Sequence, residues 1–93
     1  MKKRFSEKSV IVTGAASGMG AAISKAFANE GTNLILADIN ESGLNEIKSI
    51  CGNDVITVRC DVSKAQDTKK LIDICCERYG KVDVLVNNAG IGL

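Results

Sequence analysis

The chain has 93 residues, of which 45% are hydrophobic and 25% are charged, as is typical of one small soluble globular domain. Twelve Lys and Arg residues against eleven Asp and Glu residues argue against a nucleic-acid-binding face, where basic residues should dominate. The basic residues at positions 2–4 precede no apolar signal-peptide core, and no apolar run reaches the roughly 18 residues of a membrane span. We therefore expect a cytoplasmic protein that binds neither nucleic acid nor membrane.

Histidine is absent, and four cysteines stand at positions 51, 60, 75 and 76. Without histidine, an imidazole acid/base relay or an imidazole metal ligand is excluded within these residues. The cysteines form no C-x-x-C pair, and Cys75 and Cys76 would point about 100° apart on a helix. We predict no metal site and interpret the cysteines as small buried hydrophobic residues.

Short apolar runs alternate with longer amphipathic stretches from the first strand onward. Residues Ser9–Thr13 form the first predicted strand, which leads through a glycine-rich stretch into a helix over residues 18–30. Ile23, Ala26 and Phe27 have the spacing of one helix face and are predicted to face the core.

The second strand is predicted at Asn33–Asp38, where apolar residues occupy both faces, as in a parallel strand covered by helices on both sides. Asn40 has the residue type of a helix cap, and the helix that follows runs to Cys51 and ends at Gly52.

The third strand is predicted at residues 54–60 and the fourth at residues 82–86. Between them, Ser63 and Gln66 fit a capping box at the start of a helix that ends at Gly80. Strands that alternate with helices pair in parallel through right-handed crossovers. The predicted fold class is α/β, a Rossmann-type doubly wound parallel sheet with strand order 3-2-1-4.

The glycine-rich stretch after the first strand has the spacing G-x-x-x-G-x-G. Gly14 permits a tight turn, Gly18 allows close approach to a pyrophosphate, and Gly20 allows the helix to pack closely on the strand. The N–H groups at the helix start would then face phosphates. The spacing matches neither G-x-G-x-x-G nor a P-loop, so an ordinary glycine-rich turn remains the alternative.

Polar residues follow the carboxyl ends of the other predicted strands. Asp38 ends the second strand, where a carboxylate can accept hydrogen bonds from the hydroxyls of an adenosine ribose; otherwise it is a solvated side chain. Asp61 and Asn88 follow the third and fourth strands, at the edge where open α/β sheets bind ligands. The alternatives are a capping role for Asp61 before Ser63, and strand-joining hydrogen bonds for Asn87.

Three motifs together resemble the N-terminal half of a classical short-chain dehydrogenase/reductase. They are Thr13-Gly14-x-x-x-Gly18-x-Gly20, Asp61-Val62 and Asn87-Asn88-Ala89-Gly90. The resemblance implies one truncated part of a single NAD(P)-binding domain over residues 1–93, with Met19 where the family usually has Ile or Leu. The implied cofactor-binding residues are Gly14, Ser17, Gly18, Met19, Gly20, Asp38, Ile39, Asp61, Val62, Asn88, Ala89 and Gly90.

The resemblance also implies roles for these residues. The glycine-rich stretch would line the pyrophosphate, Asp38 and Ile39 the adenosine ribose, and the Asp61-Val62 pair the adenine. Residues 88–90 would pass beneath the nicotinamide side, and Asn87 would stabilise the sheet. No Lys or Arg follows Asp38 until Lys48, which favours NAD over NADP.

By the same resemblance, we expect an NAD-dependent oxidoreductase that transfers hydride between nicotinamide and an alcohol or carbonyl substrate, as a homo-oligomer. The family's Ser, Tyr-x-x-x-Lys and further Asn lie beyond residue 93, and Tyr79 is followed four residues later by Asp83. We therefore assign no catalytic residue and expect these 93 residues to be inactive alone. The alternatives are a non-catalytic dinucleotide-binding module and an inactive fragment; a methyltransferase would usually carry an acidic residue where Thr13 stands.

Overall fold

The structure is a computed structural model that describes residues 7–88. Its seven elements alternate strictly between strand and helix. They are β1 (Ser9–Thr13), α1 (Gly18–Asn29), β2 (Asn33–Asp38), α2 (Glu41–Cys51), β3 (Ile56–Arg59), α3 (Ala65–Tyr79) and β4 (Val84–Asn87).

The four strands form one parallel sheet in the order β3-β2-β1-β4, which confirms the predicted fold class and strand order. In the register of the sheet, Thr13 at the end of β1 lies opposite Ala37 of β2 and Asn87 of β4. Asp38 at the end of β2 lies opposite Arg59 of β3. The carboxyl ends of all four strands therefore meet along one edge of the sheet.

Each face of the sheet is covered by helices. Val10, Val12 and Leu36 are buried with residues of α2 and with the inward face of α1. Ile11 and Ile35 face the opposite way and are buried with residues of α3. This two-sided burial explains why β1 and β2 are apolar at successive positions rather than at alternate ones.

The predicted boundaries of the later elements differ from the observed ones. β3 begins at Ile56 because the Val55 N–H donates to the Gly52 carbonyl in a turn, 3.3 Å away. The predicted capping box at α3 is wrong, since Lys64 occupies the N-cap without a side-chain hydrogen bond. The Ser63 hydroxyl instead donates to Asp61 Oδ1, 2.6 Å away. Gly80 ends α3 in the left-handed conformation, as predicted, with φ of 82°.

Two side chains predicted to be buried are exposed. The middle of the buried face of α1 is Ser24, and Ala26 points about 200° away from it. On α3, Cys75 is fully buried, so its neighbour Cys76 turns toward solvent. Cys60 is buried and Cys51 half-buried, as expected for small hydrophobic residues.

Candidate functional site

The turn between β1 and α1 is closed by its own hydrogen bonds. Gly14 has a φ of 63°, in the left-handed region that favours glycine. The Ser17 hydroxyl donates to the Gly14 carbonyl at 2.8 Å and accepts the Gly20 N–H at 3.1 Å. Ser17 is therefore the N-cap of α1 and also fixes the shape of the turn.

The physical explanation for glycine differs between positions 18 and 20, at the start of α1. A Cβ on Gly20 would overlap the carbonyl oxygen of Gly14, so only glycine lets α1 start this close to the turn. A Cβ on Gly18 would meet nothing within 4 Å. Packing therefore does not require glycine at position 18, and its backbone faces open space.

The open space at Gly18 suits an anion. The N–H groups of Gly18 and Met19 belong to the first turn of α1, where backbone donors have no intrahelical acceptor. The helix dipole adds partial positive charge at this end, and no acidic side chain lies in the first turn to neutralise it. This end of α1 therefore has the donors and the room that a phosphate requires.

The Asp38 carboxylate is held against the same turn. Its Oδ2 accepts the Ala16 N–H at 2.9 Å, and its Oδ1 accepts the Asn40 N–H at 2.9 Å. The two bonds leave lone pairs free on both oxygens, because a carboxylate has about four acceptor sites. The structure thus brings Asp38 and the glycine-rich turn together, as the sequence predicted, and fixes the carboxylate without using all of its acceptors.

The end of β4 is tied to the turn through Asn88 and Thr13. The Asn88 side-chain N–H₂ group donates to the Gly14 carbonyl at 3.2 Å and to Ser17 Oγ at 2.9 Å. Its backbone N–H donates to Thr13 Oγ1 at 3.1 Å, and the Thr13 hydroxyl lies 3.1 Å from Asn87 Oδ1. Asn87 therefore joins β4 to β1, as predicted, while Asn88 holds the turn itself.

Asp61 follows β3 and lies next to the end of β2, where the Cys60 N–H donates to the Asp38 carbonyl at 3.1 Å. Asp61 Oδ1 accepts both the backbone N–H and the hydroxyl of Ser63. These bonds hold the pKa of Asp61 below its usual value. The Asp61 N–H donates to Asp67 Oδ2 at 3.1 Å. Asp61 therefore has the capping role considered for it, in the turn that contains Ser63. Asp67, which was not predicted from the sequence, positions the same turn.

Apolar side chains border this edge. Met19 is 68% exposed and Ile39 is 53% exposed, whereas Val62 is half-buried. Exposed large apolar side chains beside a polar turn are typical of a ligand-binding surface. The predicted site residues Ala89 and Gly90 lie outside the described residues.

The lone tyrosine lies elsewhere. Tyr79 lines a cavity of about 360 Å³ with Thr32, Asn33 and Val55, at the amino ends of β2 and β3. This is the edge opposite the glycine-rich turn. Within residues 7–88, no three His, Cys, Asp or Glu side chains are grouped to hold a metal ion. None of the helices described between residues 7 and 88 has the length and hydrophobicity of a membrane span.

A family model described as short chain dehydrogenase matches residues 8–93. The chain belongs to this family. Among curated relatives of this short-chain dehydrogenase sequence is 11-beta-hydroxysteroid dehydrogenase A of Sesamum indicum. It is 43% identical over 88 residues, which cover 90% of this chain and 25% of that protein.

Solved short-chain dehydrogenase structures share the fold. A glucose/ribitol dehydrogenase-type member from Brucella melitensis superposes with a TM-score of 0.91 at 36% identity, covering 100% of this chain and 39% of that one. A 3-ketoacyl-(acyl-carrier-protein) reductase from Brucella melitensis, complexed with NADH, superposes with a TM-score of 0.85 at 36% identity, covering 94% and 36%. This chain thus spans only about a quarter to two fifths of the length of these relatives.

Proposed function

We propose that the turn after β1, together with Asp38, Asp61 and Asn88, forms the dinucleotide site of an NAD-dependent oxidoreductase. The observation that carries the proposal is the Asp38 carboxylate, fixed 2.9 Å from the Ala16 N–H of the glycine-rich turn. A ribose acceptor thereby stands directly beside a phosphate-binding helix end.

The pyrophosphate is proposed to lie at the start of α1. The backbone around Gly18 has room for it, and the first-turn N–H groups supply donors. Asn88 and Ser17 keep that backbone in shape through their mutual 2.9 Å hydrogen bond. In this proposal Gly14, Met19 and Gly20 complete the phosphate side; Ile39, Asp61 and Val62 line the adenosine side; and Ala89 and Gly90 extend the site toward the nicotinamide.

Asp38 is the basis for proposing NAD rather than NADP. A 2′-phosphate would stand where the carboxylate accepts ribose hydroxyls, and like charges about 4 Å apart cost up to roughly 4 kcal/mol before screening by salt. Because two backbone N–H groups hold the carboxylate, it cannot turn away without losing both bonds. The Brucella melitensis reductase that shares the fold is described as a complex with NADH.

When bound, the nicotinamide would accept or supply a hydride in exchange with an alcohol or carbonyl substrate. The residues of this chain bind and orient the cofactor. Histidine is absent and Tyr79 lies at the opposite edge, so neither residue type can transfer a proton to a substrate held beside the turn. We therefore propose that residues of the full-length protein outside this segment supply the acid/base group, and that the 93 residues alone do not turn over substrate.

Titration calorimetry with NAD and with NADP tests the cofactor assignment. We expect the protein to prefer NAD by more than tenfold, since half of the like-charge cost already corresponds to that ratio. Asp38→Asn removes the charge and keeps an acceptor for only one of the two backbone N–H groups, so the preference should shrink toward equality. The matched control is Asp54→Ala, which removes an exposed carboxylate that lines the cavity at the opposite edge. This variant should leave both affinities unchanged. Equal affinities in the parent, or an undiminished preference in Asp38→Asn, would remove Asp38 from the site.

A further inference from the structure

The first turn of α2 touches the glycine-rich turn through a position without a side chain. A Cβ built on Gly43 lies 2.6 Å from the Cβ of Ala16 and 2.9 Å from Nδ2 of Asn40. Carbon atoms in van der Waals contact are about 3.5–4.0 Å apart. A side chain at position 43 would therefore push α2 away from the turn, or the turn away from α2.

Ala16 cannot withdraw freely from such a side chain. Its N–H is bonded to Asp38 Oδ2, and the Ala15 N–H donates to the Ala37 carbonyl at 3.1 Å. Asn40 is also fixed, because its Oδ1 accepts the Gly43 N–H at 3.1 Å as the N-cap of α2.

These contacts form a closed ring around the carboxylate. Gly43 packs on Ala16, Ala16 donates to Asp38, Asp38 accepts from Asn40, and Asn40 caps the turn of α2 that carries Gly43. Displacement of any member moves the N–H groups that orient the carboxylate.

We propose that Gly43 is a positioning residue for the dinucleotide site, so this inference rests on the proposed function. Glycine weakens a helix, and alanine at position 43 would strengthen α2 by propensity alone. Glycine instead allows α2 to hold the Ala16 N–H against Asp38. Gly43 therefore affects cofactor affinity, and the preference between NAD and NADP, by positioning the Asp38 carboxylate.

A double-mutant cycle in the full chain tests the proposal, with NAD and NADP titrated into the parent, Gly43→Ala, Ala16→Gly and the double variant. Gly43→Ala should weaken NAD binding by about tenfold, as expected for the loss of one hydrogen bond to a charged group, and should narrow the preference for NAD. Removing the Ala16 Cβ relieves the closest contact of the new methyl group, and the remaining contact, with Asn40 Nδ2, is to the end of a side chain that can shift slightly. The double variant should therefore bind NAD within about twofold of Ala16→Gly alone.

Asn45→Ala, exposed on the same helix, is the control and should change neither affinity. Unchanged NAD binding in Gly43→Ala overturns the proposal, and so does a loss that Ala16→Gly fails to restore or a loss equal for NAD and NADP. If Gly43→Ala does not fold, the NAD affinities of Ala16→Gly and of the double variant test the proposal. A tenfold difference between these two affinities contradicts the role of the Ala16 contact. A parent that binds neither dinucleotide overturns the proposed function, and this inference with it.

Discussion

At the scale of single residues, the two glycines that begin α1 separate folding from binding. Gly20 is required by the Gly14 carbonyl, which occupies the position of its missing Cβ, whereas Gly18 borders open space. The motif predicted a different reason for each glycine, close packing of helix on strand for Gly20 and approach to a pyrophosphate for Gly18. The structure supports the packing role of Gly20 and leaves room beside Gly18 for the proposed pyrophosphate.

We expect Gly20→Ala to destabilise the protein by about 2 kcal/mol or more, as is typical when an added methyl group meets fixed backbone. Gly18→Ala should leave the melting temperature unchanged or slightly higher, because alanine favours a helix. Its methyl group should nevertheless weaken NAD binding by occupying the space proposed for the pyrophosphate. Thermal unfolding and NAD titration of both variants check this pair. A stable Gly20→Ala protein, or full NAD affinity in Gly18→Ala, would contradict the assignment.

At the scale of elements, the sequence predicted those whose ends are marked by strong local signals. β1, β2 and α2 have the predicted ends; Gly14 follows β1, and Asn40 and Gly52 cap the two ends of α2. The predicted start of α3 was wrong because the Ser63 hydroxyl donates to Asp61, which precedes it, and does not cap the helix. This hydrogen bond depends on where β3 ends. The contacts of Asn88 with Gly14 and of Gly43 with Ala16 join distant segments, so no local pattern reveals them.

Asp83 joins the start of β4 to the start of β1. Its Oδ2 accepts the Ser9 N–H at 2.8 Å, while its own N–H donates to the Ser9 carbonyl at 2.9 Å. The Ser9 bond lowers the pKa of Asp83 below its ordinary value of 3.8, and Lys81, 3.4 Å away, acts in the same direction. Folded protein thus binds this proton less readily than unfolded protein does.

The sign of the pH effect follows from that difference. The stabilisation by Asp83 is present above pH 3.8 and is lost as the pH falls from there through the lower folded pKa. We expect Asp83→Asn to lower the melting temperature at neutral pH and to reduce its decline between about pH 5 and pH 2. Melting curves across this range test the expectation. An acid decline as steep in the variant as in the parent would exclude Asp83 as a contributor.

At the scale of the whole molecule, the outer edge of β4 is one of the two unpaired strand edges of the described sheet, the other being that of β3. Val84 and Val86 pack against the cluster beneath α1 and α2, and Val82 packs against the cluster beneath α3. Leu85 points to the other face and is 49% exposed. The unpaired strand edge and this apolar side chain lie together.

We expect the 93-residue chain to self-associate through this edge, because unpaired strand edges with apolar side chains form contacts between molecules. Leu85→Lys should shift the chain toward monomer in light scattering and reduce binding of a hydrophobic dye. The control is Ile50→Lys, which changes a side chain on α2 that is 60% exposed. This variant should change neither the oligomeric state nor the dye binding. A monomeric parent, or equal effects of the two substitutions, would contradict the role of this edge.

The hydrogen bond from Asn88 to Gly14 spans 74 positions of the chain. On a ribosome, β1, α1 and β2 emerge and can pair while residues 84–88 are still to be translated. Contacts between distant segments form more slowly than local ones, because the entropy of loop closure must be met first. A nascent chain therefore has its glycine-rich turn early but lacks the side chain that locks the turn, and the geometry of the proposed nucleotide site matures only when β4 docks.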